Sequence, residues 1–530
     1  MGLVGAAGSA VLNVMFVVVV TRSFAKGDAG LFFSATSLFV VLYTVARLGA
    51  GTGVVYFIAR FRALGQQERI PGCLRAALQP VLTTAVVLGT ALFFLAPRIG
   101  ELVAPEDAVT VTGLLRILAL FLPLAALSDV SLAATRGFAS MRPLVAVEKL
   151  GRPAAQLLLL LLVVVAGGGA ALLTTAWAVP YLPAAVLGWL WLTRLRRRAE
   201  ARVSDNGVSD DGVSDGSVSN GTGSAAATDP PSRASGPSPR AEFWRFTGPR
   251  AVASVAQAAL QRLDIVLITA LRGPAEAAIY AAATRFLVVG QLGSAAMLTT
   301  VQPRISALLA HRDLGAVNTV YRASTCWLVL ITWPLYLLFA VFSTYVLTVF
   351  GGGYAVGAPV MVILALAMLV ATGCGLVDSV LAMAGRTSWN LGNALLALAV
   401  NIALNLLLIP PLGILGAAIA WAVAIVLANL VPLLLVGLSL HLHPFGRGTV
   451  VAAGLATLCF GAIPGLARLV LPGELWPLLA AAVGGGVAYA AGLWFLRGPL
   501  ELDALRALRR GRKGKPTASS DPAGTAAPQR

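Results

Sequence analysis

The chain has 530 residues, 58% hydrophobic and only 12% charged, with a mean hydropathy of +0.85. Its apolar runs recur at helical span length without alternating barrel strands, which excludes a soluble globular enzyme and points to an all-α polytopic membrane protein. The formal net charge of +17 does not imply a nucleic-acid partner, because the positive residues gather in loops and tails, where they signal orientation.

In chain order the pattern predicts about 14 transmembrane helices, near residues 3–21, 31–58, 77–96, 111–134, 145–166, 170–193, 248–271, 276–299, 324–349, 358–384, 391–409, 414–438, 449–470 and 476–496. The segment after Met1 lacks a basic n-region and reads as a span rather than a cleavable signal. Exits from even-numbered spans carry the cations. Arg60, Arg62, Arg69 and Arg75 follow the second span, and Arg194, Arg196, Arg197 and Arg198 follow the sixth. Odd-numbered exits are poor in charge or acidic, as at Glu101, Glu106 and Asp107; only the first, with Arg22 and Lys26, dissents. The bias puts both termini in the cytoplasm.

Composition divides the chain into five parts: a first lobe (1–198), a linker (199–241), a second lobe (242–440), two additional spans (441–500) and a basic, disordered cytoplasmic tail (501–530). The linker opens with near-repeats around Val203, Val208 and Val213 and closes rich in Pro and Ser. It reads as a disordered cytoplasmic tether, since its acids fit no EF-hand register. The lobes repeat. A shift of 248 residues superposes 17–41 on 265–289, and a shift of 249 brings Asp129 onto Asp378. Two six-helix pseudo-repeats of shared orientation then enclose a central cavity, with two C-terminal helices outside the repeat.

Ionisable side chains inside spans are costly and mark function by default. Arg47 sits beside Gly49, Gly51 and Gly53; Asp129 and Asp378 occupy repeat-equivalent positions; Arg262 and Asp264 share one span, and Arg285 lies on the next. Arg262 and Arg285 are each about nine residues from their outer span ends, roughly 14 Å deep. They either receive an anion or are neutralised by Asp264, Asp378 or Asp129. Glu148, Lys149 and Arg152 are expected near the inner boundary. Asn393, Asn401 and Asn405 fall on one helical face, as interhelical glue or as a cavity lining. Four cysteines without paired spacing and three unclustered histidines predict neither metal site nor disulfide framework, and no cofactor motif is found.

The run Asn401-x3-Asn405-x3-Ile409-Pro410-x2-Gly413-x2-Gly416-Ala417-Ala418-x-Ala420 joins two apolar helices through a tight turn. With Asp264-Ile265-Val266-Leu267 and Gly273-Pro274-x5-Tyr280, it resembles the polysaccharide flippase branch of the multidrug/oligosaccharidyl-lipid/polysaccharide exporter superfamily, over residues 15–440. The resemblance implies a transporter, not an enzyme, in the cytoplasmic membrane of a bacterium. It would flip a polyprenyl-diphosphate-linked oligosaccharide by alternating access for cell-surface polysaccharide synthesis. Its partners would be the lipid-linked glycan, membrane lipid and a glycan polymerase or ligase.

On that reading Arg47, Arg262, Arg285, Asn401 and Asn405 bind substrate, while Asp129, Asp264 and Asp378 couple or gate. A cation-coupled multidrug antiporter is the alternative, but it should offer acids and aromatics rather than cations. A lipid II flippase is a second alternative, against which the uncharged first span, 3–20, argues. A membrane polymerase is disfavoured because no expected outer loop exceeds about fifteen residues.

Overall fold

The structure, a computed structural model, describes residues 2–208, 239–385, 387–470, 475–496 and 498. Among them there is no strand, and twelve helical stretches are long and apolar enough to cross a membrane. The other two expected spans, 145–166 and 276–299, are helical but interrupted.

The first half opens with α1 (Gly2–Ser23) and α2 (Lys26–Ala46), then α3 (Ala50–Ala63), α4 (Ile70–Val103) and α5 (Ala108–Gly137). A wide π turn, Leu144–Gly151, feeds α6 (Arg152–Val165), followed by α7 (Ala170–Ala178) and α8 (Tyr181–Val208). The second half runs through α9 (Pro239–Arg272), α10 (Pro274–Ala283), α11 (Leu287–Ala310), α12 (Leu314–Val341) and the short α13 (Ser343–Thr348). It continues with α14 (Ala358–Gly373), α15 (Val377–Met383), α16 (Thr387–Leu412) and α17 (Ile414–Leu440). Last come α18 (Arg447–Ala456), α19 (Ile463–Val470) and α20 (Leu475–Phe495).

Five predicted spans are therefore broken helices, the sixth at residues 179–180 and the ninth at Phe342 among them. The second splits into α2 and α3 at Arg47–Gly49, where Leu48 and Gly49 take left-handed φ values of 49° and 65°. The eighth splits at Thr284–Phe286, and the tenth at Cys374–Leu376, with Gly375 at φ 69°. Broken helices are tolerated at membrane depth only where protein or a cavity satisfies the freed backbone. The linker is also shorter than expected: α8 reaches Val208 and α9 starts at Pro239, so both its ends are helical. Its middle, and the basic tail, lie outside the described residues.

The hub is α2, which packs against α5, α9 and α10 and contributes to both large hydrophobic clusters. Its partners approach closely because small residues face it. A Cβ on Gly30 would strike the Pro274 carbonyl, so α2 and the start of α10 touch backbone to backbone.

The two halves also meet at both ends of the bundle. At the arginine-rich end, Arg60 pairs with Glu242 at 2.9 Å, Trp244 donates to the Ala76 carbonyl at 3.2 Å, and Tyr56 stacks on Phe246. At the other end, Arg22 Nε donates to Val349 O at 2.7 Å and Lys26 Nζ to Gly353 O at 3.1 Å. The two cations that break the charge bias thus tie the first loop to the second half.

Candidate functional site

Each of two helix breaks presents an arginine. Arg47 caps the C-terminus of α2, and Arg285 lies just past the C-terminus of α10. A cation there faces the unsatisfied carbonyls and negative end of the helix dipole, which favours its charge. The strained Leu48 beside Arg47 is the kind of backbone cost that persists where surrounding structure demands a position.

Around α2 these arginines form part of a continuous polar arc. Arg47 Nη1 contacts Asp129 Oδ1 on α5 at 3.4 Å, and its guanidinium lies 5.6 Å from the Tyr43 ring. Asp129 then shares a small cavity with Tyr43, Ser128, Glu148, Arg152 and Tyr181. Arg152 lies over the Tyr181 ring at 4.7 Å. Tyr181 is in turn within electrostatic reach of Arg262 on α9, and Arg262 of Arg285. Arg285 closes the arc over the Phe33 ring at 5.5 Å. Behind it stands an aromatic wall in which Phe39, Trp177 and Tyr181 lie edge to face or tilted at 5.5–5.7 Å.

The arc holds four guanidinium groups and two carboxylates. Arg47 has Asp129, and Arg152 has the Glu148 carboxylate in its neighbourhood. Arg262 and Arg285 have no ion-pair partner among the described residues, and the Arg285 Nε is buried without a hydrogen bond. Two adjacent half-buried cations repel each other, and a divalent anion between them would relieve that cost. Glu148 and Arg152, expected near the inner boundary, also line the cavity beside Asp129. Glu148 is on the π turn and Arg152 just after it, and such turns recur at functional sites.

A second polar cluster lies between α9, α10 and α16. Asp264, 2% exposed, accepts from Tyr280 Oη at 2.9 Å and from Asn405 Nδ2 at 2.8 Å. Asn401, one turn earlier and fully buried, lies beside that carboxylate, yet neither of its amide atoms has a hydrogen-bond partner. The Asn405 Oδ1 is likewise orphaned. Asn393, higher on the same face, only ties α16 to α17 by donating to Ala428 O at 2.7 Å. No cation pairs with Asp264 among the described residues, and no group of three or more His, Cys, Asp or Glu is found there that could hold a metal.

Asp378, predicted as the counterpart of Asp129, is elsewhere. It occupies the first turn of α15, exposed, with Asn390 donating to its carbonyl at 3.0 Å.

The fold is shared with known membrane transporters. A lipid II flippase, MurJ in an inward closed conformation, superposes with a TM-score of 0.71 at 13% identity, covering 93% of this chain and 98% of that one. An inward-facing multidrug resistance MATE transporter gives 0.62 at 13% identity over 82% of this chain and 94% of its own. A superfamily transporter from Pyrococcus furiosus, described with a binding pocket of reversed polarity, gives 0.53 at 15% identity over 83% and 93%. No protein-family profile matches the chain, and no curated protein matches its sequence. At these identities the likeness shows the all-α fold alone.

Proposed function

We propose that this protein is a membrane transporter that flips a polyprenyl-diphosphate-linked oligosaccharide across the cytoplasmic membrane by alternating access. The observation that carries the reading is the unpaired arginine couple, Arg262 and Arg285, at the end of an arc that also holds Arg47 and Arg152. A guanidinium fork matches two phosphate oxygens, so the couple is suited to a diphosphate. Tyr43, Tyr181 and Ser128 offer hydroxyls to sugars, and the aromatic wall offers ring faces. The lipid tail stays in the bilayer, so the protein lowers only the cost of carrying the charged headgroup through hydrocarbon. The arginine-rich ends and both termini face the cytoplasm on this reading.

Asp264 is the coupling group. Its carboxylate, with the orphaned oxygens of Asn401 and Asn405 beside it, offers a buried place for a proton or a monovalent cation. Loading it would bias how α9, α10 and α16 pack, and α9 and α10 carry Arg262 and the break at Arg285. A cationic drug as substrate fits poorly, since it would meet unpaired cations. The likeness to the lipid II flippase over 93% of this chain supports a second reading, a lipid II flippase, which uses the same diphosphate chemistry.

The test is export of lipid-linked glycan and of lipid II, each measured with variants matched for membrane abundance. The Arg262→Ala, Arg285→Ala double variant is expected to lose export about a hundredfold or more, as two charge-assisted contacts vanish. Arg→Lys at either position should rescue only in part. Wild-type export by the double variant would end the anionic-headgroup reading, whichever lipid is carried.

A further inference from the structure

A second arginine pair lies in the first half, toward the far end of α8 from Tyr181. Helices α4 and α8 both pack on α5 and leave a cavity of about 180 Å³ between them. Arg75 and Leu78 line it from α4, and Trp189, Leu192, Thr193 and Arg196 line it from α8. Its chemistry is graded along the helix axis. Arg75 and Arg196 are at the arginine-rich end of the bundle, among Arg69, Arg194, Arg197 and Arg198. Trp189 lies seven residues from Arg196, about 10 Å toward the middle of the span, and is 42% exposed. The polar arc meets α8 at its start, where Tyr181 is buried, roughly 22 Å along the helix from Arg196.

We infer that this cavity binds an anionic glycerophospholipid from the leaflet at the arginine-rich end, with the phosphate between Arg75 and Arg196 and an acyl chain along Leu78, Leu192 and Trp189. Three features single out that occupant. Two guanidinium groups from separate helices converge on one cavity, which is the arrangement that recognises a phosphate headgroup between membrane helices. The wall beyond them is apolar, which free phosphate would not need and an acyl chain would cover. The volume and the single hydroxyl, Thr193, leave no room for a glycan headgroup, so the transported lipid is not the occupant. A bound lipid would hold α4 and α8 at fixed spacing through contacts with both.

The experiment uses the full chain purified in a neutral detergent and titrated with phosphatidylglycerol, phosphatidylcholine or inorganic phosphate. Thermal melting and native mass spectrometry read the binding. Phosphatidylglycerol is expected to raise the melting temperature saturably and to remain as a discrete adduct, while the other two do neither. In the Arg75→Gln, Arg196→Gln variant the same shift should require about thirtyfold more lipid. The Arg197→Gln, Arg198→Gln variant, which changes nearby charge outside the cavity, should titrate as the parent. If the first variant fails to fold, Thr193→Trp fills the cavity and keeps both arginines, and it should weaken binding comparably. An unchanged midpoint in the cavity variants overturns the proposal. So does equal weakening in the control variant, which would mean diffuse attraction, or an equal response to inorganic phosphate. Transport is not the readout, so failure here leaves the flippase reading standing.

Discussion

Two acids inside the spans of the two halves, the half-buried Asp129 and the buried Asp264, solve the same problem differently. Asp129 meets a guanidinium at 3.4 Å, with Arg47 and Asp129 side chains still 29% and 14% exposed. Asp264 is 2% exposed and held only by the neutral donors Tyr280 and Asn405. A carboxylate opposite an arginine carries its compensation with it, and its role is to position that arginine. A carboxylate with only neutral donors must acquire a positive partner or a proton to lose its desolvation cost. On the proposed function, Asp129 positions an arginine of the arc and Asp264 is the group that loads.

The largest effect should come from removing the second acid's charge. Asp264→Asn keeps the size and the Tyr280 contact but abolishes ion or proton loading. Gradient-driven export is expected to fall about a hundredfold, near the upper end of coupling energies between sites. Protein abundance should hold. Export that stays at the parent level under every imposed gradient would erase the contrast between the two acids.

A smaller effect, on stability, should mark the first acid. Arg47→Ala strands Asp129 and should cost about 2 kcal/mol, below the 3–5 expected for a fully buried pair because both partners keep some solvent. Adding Asp129→Asn should restore most of the melting temperature. Lack of rescue would mean that Arg47 acts without Asp129.

Asn401 sharpens the comparison further. Replacing an orphaned buried amide with Leu should raise stability by about 1 kcal/mol, while export falls. Such opposite signs identify a polar group kept for function at a cost in stability. A variant with unchanged export would reduce Asn401 to a passive neighbour.

The smallest effect is expected at Asp378, whose exposed carboxylate has no ion pair among the described residues. Asp378→Asn should shift stability by less than about 0.5 kcal/mol and leave export near the parent level. A loss comparable to that of Asp264→Asn, in matched membranes, would restore the symmetry that the repeat suggested.

The repeat itself was legible because both halves obey one hydrophobic pattern. The turn between α1 and α2 at residues 24–25 and the turn at Gly273 lie at the offset read from the sequence. What the offset could not convey is where each helix breaks. Residues 41 and 289 are aligned by the repeat, yet α2 continues unbroken to Ala46 while α10 ends at Ala283. A break of two or three residues leaves hydropathy unchanged, so Arg47 and Arg285 read as residues inside continuous spans.

Length and composition alone determined that the chain is a helical bundle in a membrane, since hydrocarbon permits few other solutions for such apolar runs. They also exposed the intramembrane charges, because each stands out against an apolar background. Tertiary structure decided which charges meet. Asp129 and Asp378 share a sequence position in the repeat, but among the described residues only Asp129 of the two pairs with an arginine. Glu148 and Arg152, on and just after a π turn, line one cavity with Asp129. Depth along a span can be counted from residue number, whereas azimuth about the helix axis depends on every break and wide turn before it. One extra residue rotates a side chain by about 100°, and that rotation decides whether a charge faces lipid, a partner or the cavity.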